Sequence, residues 1–97
     1  PITNMAIVRA EGHNINQVMD FLTDLVPVQN ISGIQLLGPI PAPLERVAGK
    51  YRFQLHIQAL ERSHLHQYLA QMVDYISTSK LAQKVRWSLD VDPIDMI

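Results

Sequence analysis

Two polar residues, Arg62 and His66, have the types and the spacing of an anion-binding pair. They are four positions apart near the start of a helical segment, so one face of that helix carries both. The free backbone N–H groups at that end, the positive end of the helix dipole and the forked guanidinium together favour a carboxylate or a phosphate. A competing interpretation has Arg62 pairing with its neighbour Glu61 or with solvent. The residues alone leave both interpretations open.

Five cationic residues form a second candidate site, for nucleic-acid phosphates. Polar and apolar side chains alternate from Lys50 to Gln58 and again from Val85 to Val91, which is typical of strands with one buried face. Residues 45–89 carry seven Lys and Arg against three Asp and Glu, a net charge of +4 within a chain whose formal net charge is −1. A basic segment of this kind can mark a surface for nucleic acid, and a solvated strand face is the alternative. The five residues are Arg46, Lys50, Arg52, Lys84 and Arg86.

Other kinds of chemistry have weaker support in the residues. A first-position proline before a strand is the general base of small tautomerases, so Pro1 makes a tautomerase a remote alternative. Asp90 and Asp92 share one side of a strand and could bind a divalent cation, but such a pair more often ends a strand in solvent. The four histidines lack the spacing of a metal site, and the sequence has no phosphate-binding glycine loop or Ser/His/Asp signature. We therefore expect a chain with no catalytic activity, metal ion or cofactor of its own.

The composition is that of a single globular domain spanning residues 1–97. The hydrophobic share of 47% and the charged share of 18% are ordinary for such a domain. No apolar run approaches the ~20 residues that a membrane span needs, and no signal segment opens the sequence. The absence of cysteine excludes a disulfide framework and a thiolate zinc site. These features predict a cytoplasmic protein without a membrane partner.

The hydrophobic periodicity predicts four strands and two helices that position the candidate residues. Asn14 is the predicted N-cap of the first helix, which ends before Pro27. Prolines at alternate positions stiffen and extend the backbone, so residues 38–49 are predicted to form a proline-rich arm between the second and third strands. The predicted elements are a strand at 4–10, a helix at 14–26, strands at 31–37 and 50–58, a helix at 63–79 and a strand at 85–91.

This order of elements predicts an α+β fold of the split βαβ type. We expect both helices on one face of a four-stranded, mostly antiparallel sheet, because each crossover is right-handed. The first strand is expected between the two cationic strands, so that Arg9 adds to one positive sheet face that is open to solvent. By parity, Tyr51, Phe53 and Trp87 point into the core, which disfavours base stacking on the sheet.

Short motifs along most of the chain match a known family. They are Val8-Arg9, Glu11-Gly12-His13, Leu37-Gly38-Pro39, Pro41-Ala42-Pro43, Ala48 to Gln54, Arg62 with Leu65, Lys84 to Trp87 and Leu89 to Pro93. Together they resemble the C-terminal domain of the PriA family of bacterial primosomal replication-restart DNA helicases. The resemblance implies a fold similar to that of a small-subunit ribosomal protein. It also implies that the chain is the C-terminal fragment of a larger 3′ to 5′ helicase, whose ATP, magnesium and zinc sites lie in other domains, and that Pro1 aligns with an interior proline.

The resemblance also implies partners and a location. The family's domain helps to hold branched or forked DNA without reading its sequence, and it works with primosome proteins and the other helicase domains in the cytoplasm, associated with the nucleoid. With those domains it forms a pocket for the acidic tail of single-stranded-DNA-binding protein. The family's tail-binding arginine falls on Arg62, and a glutamine position of the family falls on His66, a departure that keeps a hydrogen-bond donor. Our leading hypothesis is a non-catalytic binding module, and the alternative is a structural domain that braces the helicase lobes.

Overall fold

A computed structural model describes residues 3–92 and has the predicted order of strands and helices. The predicted boundaries hold to within a few residues, except at the second strand, which is twice as long as the seven residues expected. A short 3₁₀ turn that was not predicted precedes the last strand. The elements are β1 (Asn4–Gly12), α1 (Ile15–Asp24), β2 (Ile34–Val47), β3 (Lys50–Ala59), α2 (Arg62–Ser77), the 3₁₀ turn (Ala82–Lys84) and β4 (Arg86–Val91).

The four strands form one sheet in the order β2-β3-β1-β4, and every neighbouring pair is antiparallel. The central pair of β1 with β3 is continuous, from Asn4 opposite Ala59 to Gly12 opposite Tyr51. The first strand therefore lies between the two cationic strands, as predicted. This is the α+β, split βαβ arrangement.

Both helices pack against one face of the sheet. Alternate residues of β1 and β3, including Val8 and Leu55, are fully buried there in one cluster with residues of both helices. Phe53 belongs to that cluster, and Trp87 packs against it with its ring 6.2 Å from that of Phe21. The predicted parity is confirmed, because the aromatic rings of β3 and β4 face the helices.

The first helix begins where its capping residue predicts. The Oδ1 atom of Asn14 accepts hydrogen bonds from the backbone N–H groups of Asn16 at 2.9 Å and Gln17 at 3.3 Å. These bonds satisfy two of the donors that the first turn of a helix leaves unpaired. The helix ends at Asp24, three residues before Pro27.

The proline segment is not a separate arm, and that prediction is wrong in this respect. β2 continues through it, and Ile40, Pro41 and Arg46 pair with β3. An edge strand tolerates proline because one side of its backbone has no ladder to break, and β2 is at the edge of the sheet. The pairing is interrupted between Leu37 and Ile40 and again between Pro41 and Arg46. The segment is therefore a bulged strand rather than a free polyproline helix.

We expect Gly38→Ala to cost more stability than Gly49→Ala. Both glycines have positive φ, +129° and +79°. A Cβ at position 38 would lie 2.7 Å from the backbone oxygen of Gln54, whereas at position 49 the nearest atom would be 3.8 Å away. Gly49→Ala should therefore lower the free energy of unfolding by only the conformational cost, about 1 kcal/mol, and Gly38→Ala by about 2–4 kcal/mol. Urea denaturation measures both, and equal losses would contradict the close approach of β2 to β3.

Candidate nucleic-acid interface

The sheet face opposite the helices, called here the outer face, carries most of the predicted cationic residues. Side chains alternate along each strand, so the outer face receives every second residue of β1, β3 and β4. The polar members of this face are Arg9, Glu11, Lys50, Arg52, Gln54, His56, Gln58, Arg86, Ser88 and Asp90.

Two carboxylates of the outer face pair with its cations. One Glu11 oxygen lies 3.5 Å from Nζ of Lys50, and the other lies 3.9 Å from Nε of Arg52. Arg52 also donates from Nη1 to the backbone oxygen of Leu44 at 3.2 Å, which ties β3 to the bulged part of β2. Arg9 pairs with Asp90 at 3.1 Å. The sequence predicts a positive face, and in the structure this face also carries two carboxylates that pair with its cations.

Arg86 and Lys84 extend this charge onto β4 and the turn before it. Arg86 is directly across from Glu11 in the pairing of β1 with β4, and its side chain is exposed. Lys84 is also exposed and lines a hollow together with Lys50. The structure therefore groups four of the five predicted cations around the Gly12 end of β1.

Arg46 lies apart from the other four. It is paired with Tyr51 in the β2–β3 hairpin, and its guanidinium lies 4.7 Å from the centre of the Tyr51 ring. Tyr51 packs against the helix-side core, so Arg46 is on the opposite side of the sheet from Arg52. A two-residue turn at Ala48 and Gly49, both with positive φ, sets this register.

The outer face is also less open than predicted. Ile7 is 0% exposed and Gln54 only 4%, although both side chains have outer-face parity. Ala42, in the bulged part of β2, is 6% exposed and lines a cleft with Arg52 and Arg86. The bulge of β2 therefore lies against this face and narrows it to a cleft of about 220 Å³. A second hollow, of about 360 Å³, adjoins it beyond Glu11.

A histidine occupies the middle of the outer face. Nε2 of His56 lies 2.8 Å from Oε1 of Gln54, so a neutral ring with its proton on Nε2 donates this hydrogen bond. Burial lowers the pKa of His56 below its ordinary value of 6.5, and the positive charge of Arg9 lowers it further. Both effects favour the neutral form of the ring in the folded protein.

The predicted anion pair is at the start of α2. Arg62 is the first residue of the helix, His66 is one turn further, and both side chains are exposed. Leu65 between them is fully buried and anchors this turn to the core. The ion pairs within residues 3–92 do not include Arg62, so the competing pairing with Glu61 is not formed there. The two donors thus share one accessible surface.

Asp90 of β4 and Asp92, just after that strand, have structural partners. Asp90 pairs with Arg9, and Oδ1 of Asp92 accepts a hydrogen bond from the backbone N–H of Met5 at 3.3 Å. In the described part of the chain, no three His, Cys, Asp or Glu side chains come together as metal ligands. Among residues 3–92 there is also no helix long and apolar enough to cross a membrane.

The fold and this mixed-charge face define a small α+β domain, and comparisons with known proteins identify its family. The family model described as the primosomal protein N C-terminal domain matches residues 1–94. The replication restart protein PriA of Haemophilus influenzae is 35% identical over 99% of the chain, and that of Rickettsia typhi is 27% identical over 96%. The chain spans only 13% and 14% of the length of these two relatives.

The chain belongs to the PriA C-terminal domain family, as its motifs predicted. Both named relatives are replication restart proteins. The part of PriA that the chain matches is the C-terminal domain.

We expect replacement of His56 by Gln to weaken the pH dependence of stability. Because the folded pKa is lowered, the unfolded chain takes up this proton first as pH falls below about 6.5, and the folded state loses stability in that range. A glutamine cannot take up the proton. Denaturant midpoints at pH 7.5 and pH 5 should therefore differ less in His56→Gln than in the wild type. His13→Gln, an exposed histidine in the turn after β1, is the control. An equal change in both variants would contradict the assignment to His56.

Proposed function

We propose that the chain is a non-catalytic binding module for branched or forked DNA in replication restart, without a cofactor of its own. The observation that carries this proposal is the group of cations around Glu11. Lys50, Arg52 and Arg86 come from two strands and lie on one face beside a single carboxylate. Their net positive charge suits a phosphate backbone, and Lys84 adds a further cation because it lines a hollow together with Lys50 and Arg86.

Sequence readout is not part of this proposal. The aromatic rings of β3 and β4 face the helices and cannot stack on bases from the outer face. Arg and Lys contacts to phosphates position a protein on DNA and carry no base information. A structure-selective binder of forks needs only contacts of this kind.

Replacing both Lys50 and Arg52 by alanine should weaken fork binding and flatten its salt dependence. Two lost phosphate contacts reduce the slope of log K against log salt by about two, so the affinity ratio between 50 and 200 mM salt should shrink roughly tenfold. Fluorescence anisotropy with a labelled fork measures this. Lys80→Ala removes an exposed cation beyond the end of α2 and is the matched control. An unchanged slope in the double variant would exclude the outer face as the DNA site.

We further propose that Arg62 and His66 bind the acidic tail of single-stranded-DNA-binding protein. Their exposure on one helical face, next to the unpaired N–H groups of the first turn, supports this. A bidentate guanidinium is the preferred partner of a carboxylate. Other domains of the larger protein complete the pocket in this proposal.

Arg62→Glu should abolish binding of a peptide with the acidic tail sequence, because the substitution replaces a cation by a negative charge that repels the acidic peptide. Isothermal titration with the full-length protein that contains this domain measures it, and His66→Gln should keep most of the affinity. Fork binding serves as the internal control, since Arg62 lies outside the outer face. A fully active Arg62→Glu variant would show that the tail binds elsewhere.

A bracing role is a second candidate, favoured by one observation. A groove of about 840 Å³ between the α1–β2 connection and the end of β3 is lined mainly by apolar residues. Ile31, Leu37 and Leu60 line it and remain 41–71% exposed. If bracing is the main role, Leu60→Asp should lower the stability of the full-length protein without changing its selectivity for forks.

A further inference from the structure

The carboxylate of Glu11 occupies the centre of the cationic group. Its two oxygens face different cations, Lys50 at 3.5 Å and Arg52 at 3.9 Å. The third cation, Arg86, is its cross-strand neighbour in β4, a position that brings Cβ atoms to about 5 Å. Within residues 3–92, Arg86 takes part in none of the ion pairs. Three cations against one carboxylate leave a net charge of +2 at this point.

A carboxylate and a phosphate use the same donors. Both accept charge-assisted hydrogen bonds from guanidinium and ammonium groups, and a DNA phosphodiester, like a carboxylate, carries one negative charge on two free oxygens. Three cations that hold one carboxylate can therefore hold one backbone phosphate in its place. The side chains of Glu11, Lys50 and Arg52 are only 30–38% exposed, so their interactions are less screened by water than those of fully exposed pairs.

Two open spaces adjoin Glu11, one on either side of it. Glu11 and Arg86 line both the cleft of about 220 Å³ and the hollow of about 360 Å³. The cleft lies toward Ala42, and the hollow lies toward Lys84 and Lys50. A backbone that crosses from one to the other passes the Glu11 carboxylate.

We propose that the Glu11 carboxylate occupies a phosphate site. One DNA phosphate group displaces this carboxylate and binds Lys50, Arg52 and Arg86 in its place. This inference rests on the proposed function and deepens it. In the free protein Glu11 pairs with Lys50 and Arg52, so it competes with the DNA phosphate for these cations and weakens DNA binding. A phosphate must exchange two ion pairs of the protein for its own, so only a backbone that makes further contacts binds well.

Replacing Glu11 by Gln tests the proposal, because the amide keeps the shape of the side chain and removes its charge. Fork DNA should bind roughly three- to tenfold more tightly, and the salt slope should steepen by about one, since the net positive charge of the site rises by one. Asp74→Asn removes the same charge from an exposed position on α2 and should change neither quantity. Denaturant midpoints of both variants confirm folding. The gain should vanish when Lys50→Ala and Arg52→Ala are added.

A second measurement detects the phosphate site without DNA. Inorganic phosphate is titrated against the chain while NMR records the Nε–H signals of Arg52 and Arg86. Both signals should shift saturably in Glu11→Gln at phosphate concentrations that leave the wild type unchanged. Equal effects of Glu11→Gln and Asp74→Asn would overturn the proposal in favour of a general charge effect.

The two measurements separate this inference from the proposed function. If the Lys50 and Arg52 substitutions weaken fork binding but Glu11→Gln does not tighten it, the proposed phosphate site at Glu11 is wrong and the proposed DNA interface stands. If no variant binds the fork but phosphate shifts both arginine signals in Glu11→Gln, the chain has an anion-binding site at Glu11 and the proposed DNA interface is wrong.

Discussion

The pairing of β1 with β3 is the constraint on which the rest of the structure depends. Its nine pairs are continuous, and the side-chain period of a strand is two, so the register decides which residues enter the core. A slip by one residue would turn Val8 outward and place Arg9 and Glu11 against the helices. Burying those charges would cost several kcal/mol each unless partners followed them. The apolar residues of β1 therefore fix the outer face as firmly as they fix the core.

Features carried by local sequence could be predicted well. The alternation after Lys50 is visible in the sequence itself, and it gives the strand, the inward rings and the outward cations. The cap at Asn14 is equally local, since it needs only a side chain and two neighbouring N–H groups. The prediction of a proline-rich arm was wrong because the conformation of this segment depends on its pairing with β3, which its own residues do not indicate. Prolines predict extended backbone, but the pairing that makes β2 an edge strand is supplied by β3.

The electrostatics of the site could not be predicted from segment charges. Residues 45–89 are basic as a stretch, but the sheet inserts β1 between β3 and β4 and brings Glu11 among their cations. Asp90 reaches Arg9 in the same way. Charge along a chain and charge on a face differ whenever distant strands are neighbours. The registers of β1 with β3 and with β4 place Glu11 opposite Arg52 and Arg86, and neither register can be predicted from the composition.

The position of Glu11 also explains how three cations can share one end of a sheet. Without a counter-charge, Lys50, Arg52 and Arg86 would repel one another in the folded state, and partial burial would strengthen that repulsion. Glu11 offsets it by pairing with two of them. In the proposed interface the same carboxylate competes with a DNA phosphate, so stability of the free domain and affinity for a phosphate backbone oppose each other at this residue. Under that proposal, Glu11 offsets the repulsion among the three cations when no DNA is bound and weakens the binding of DNA when it is present.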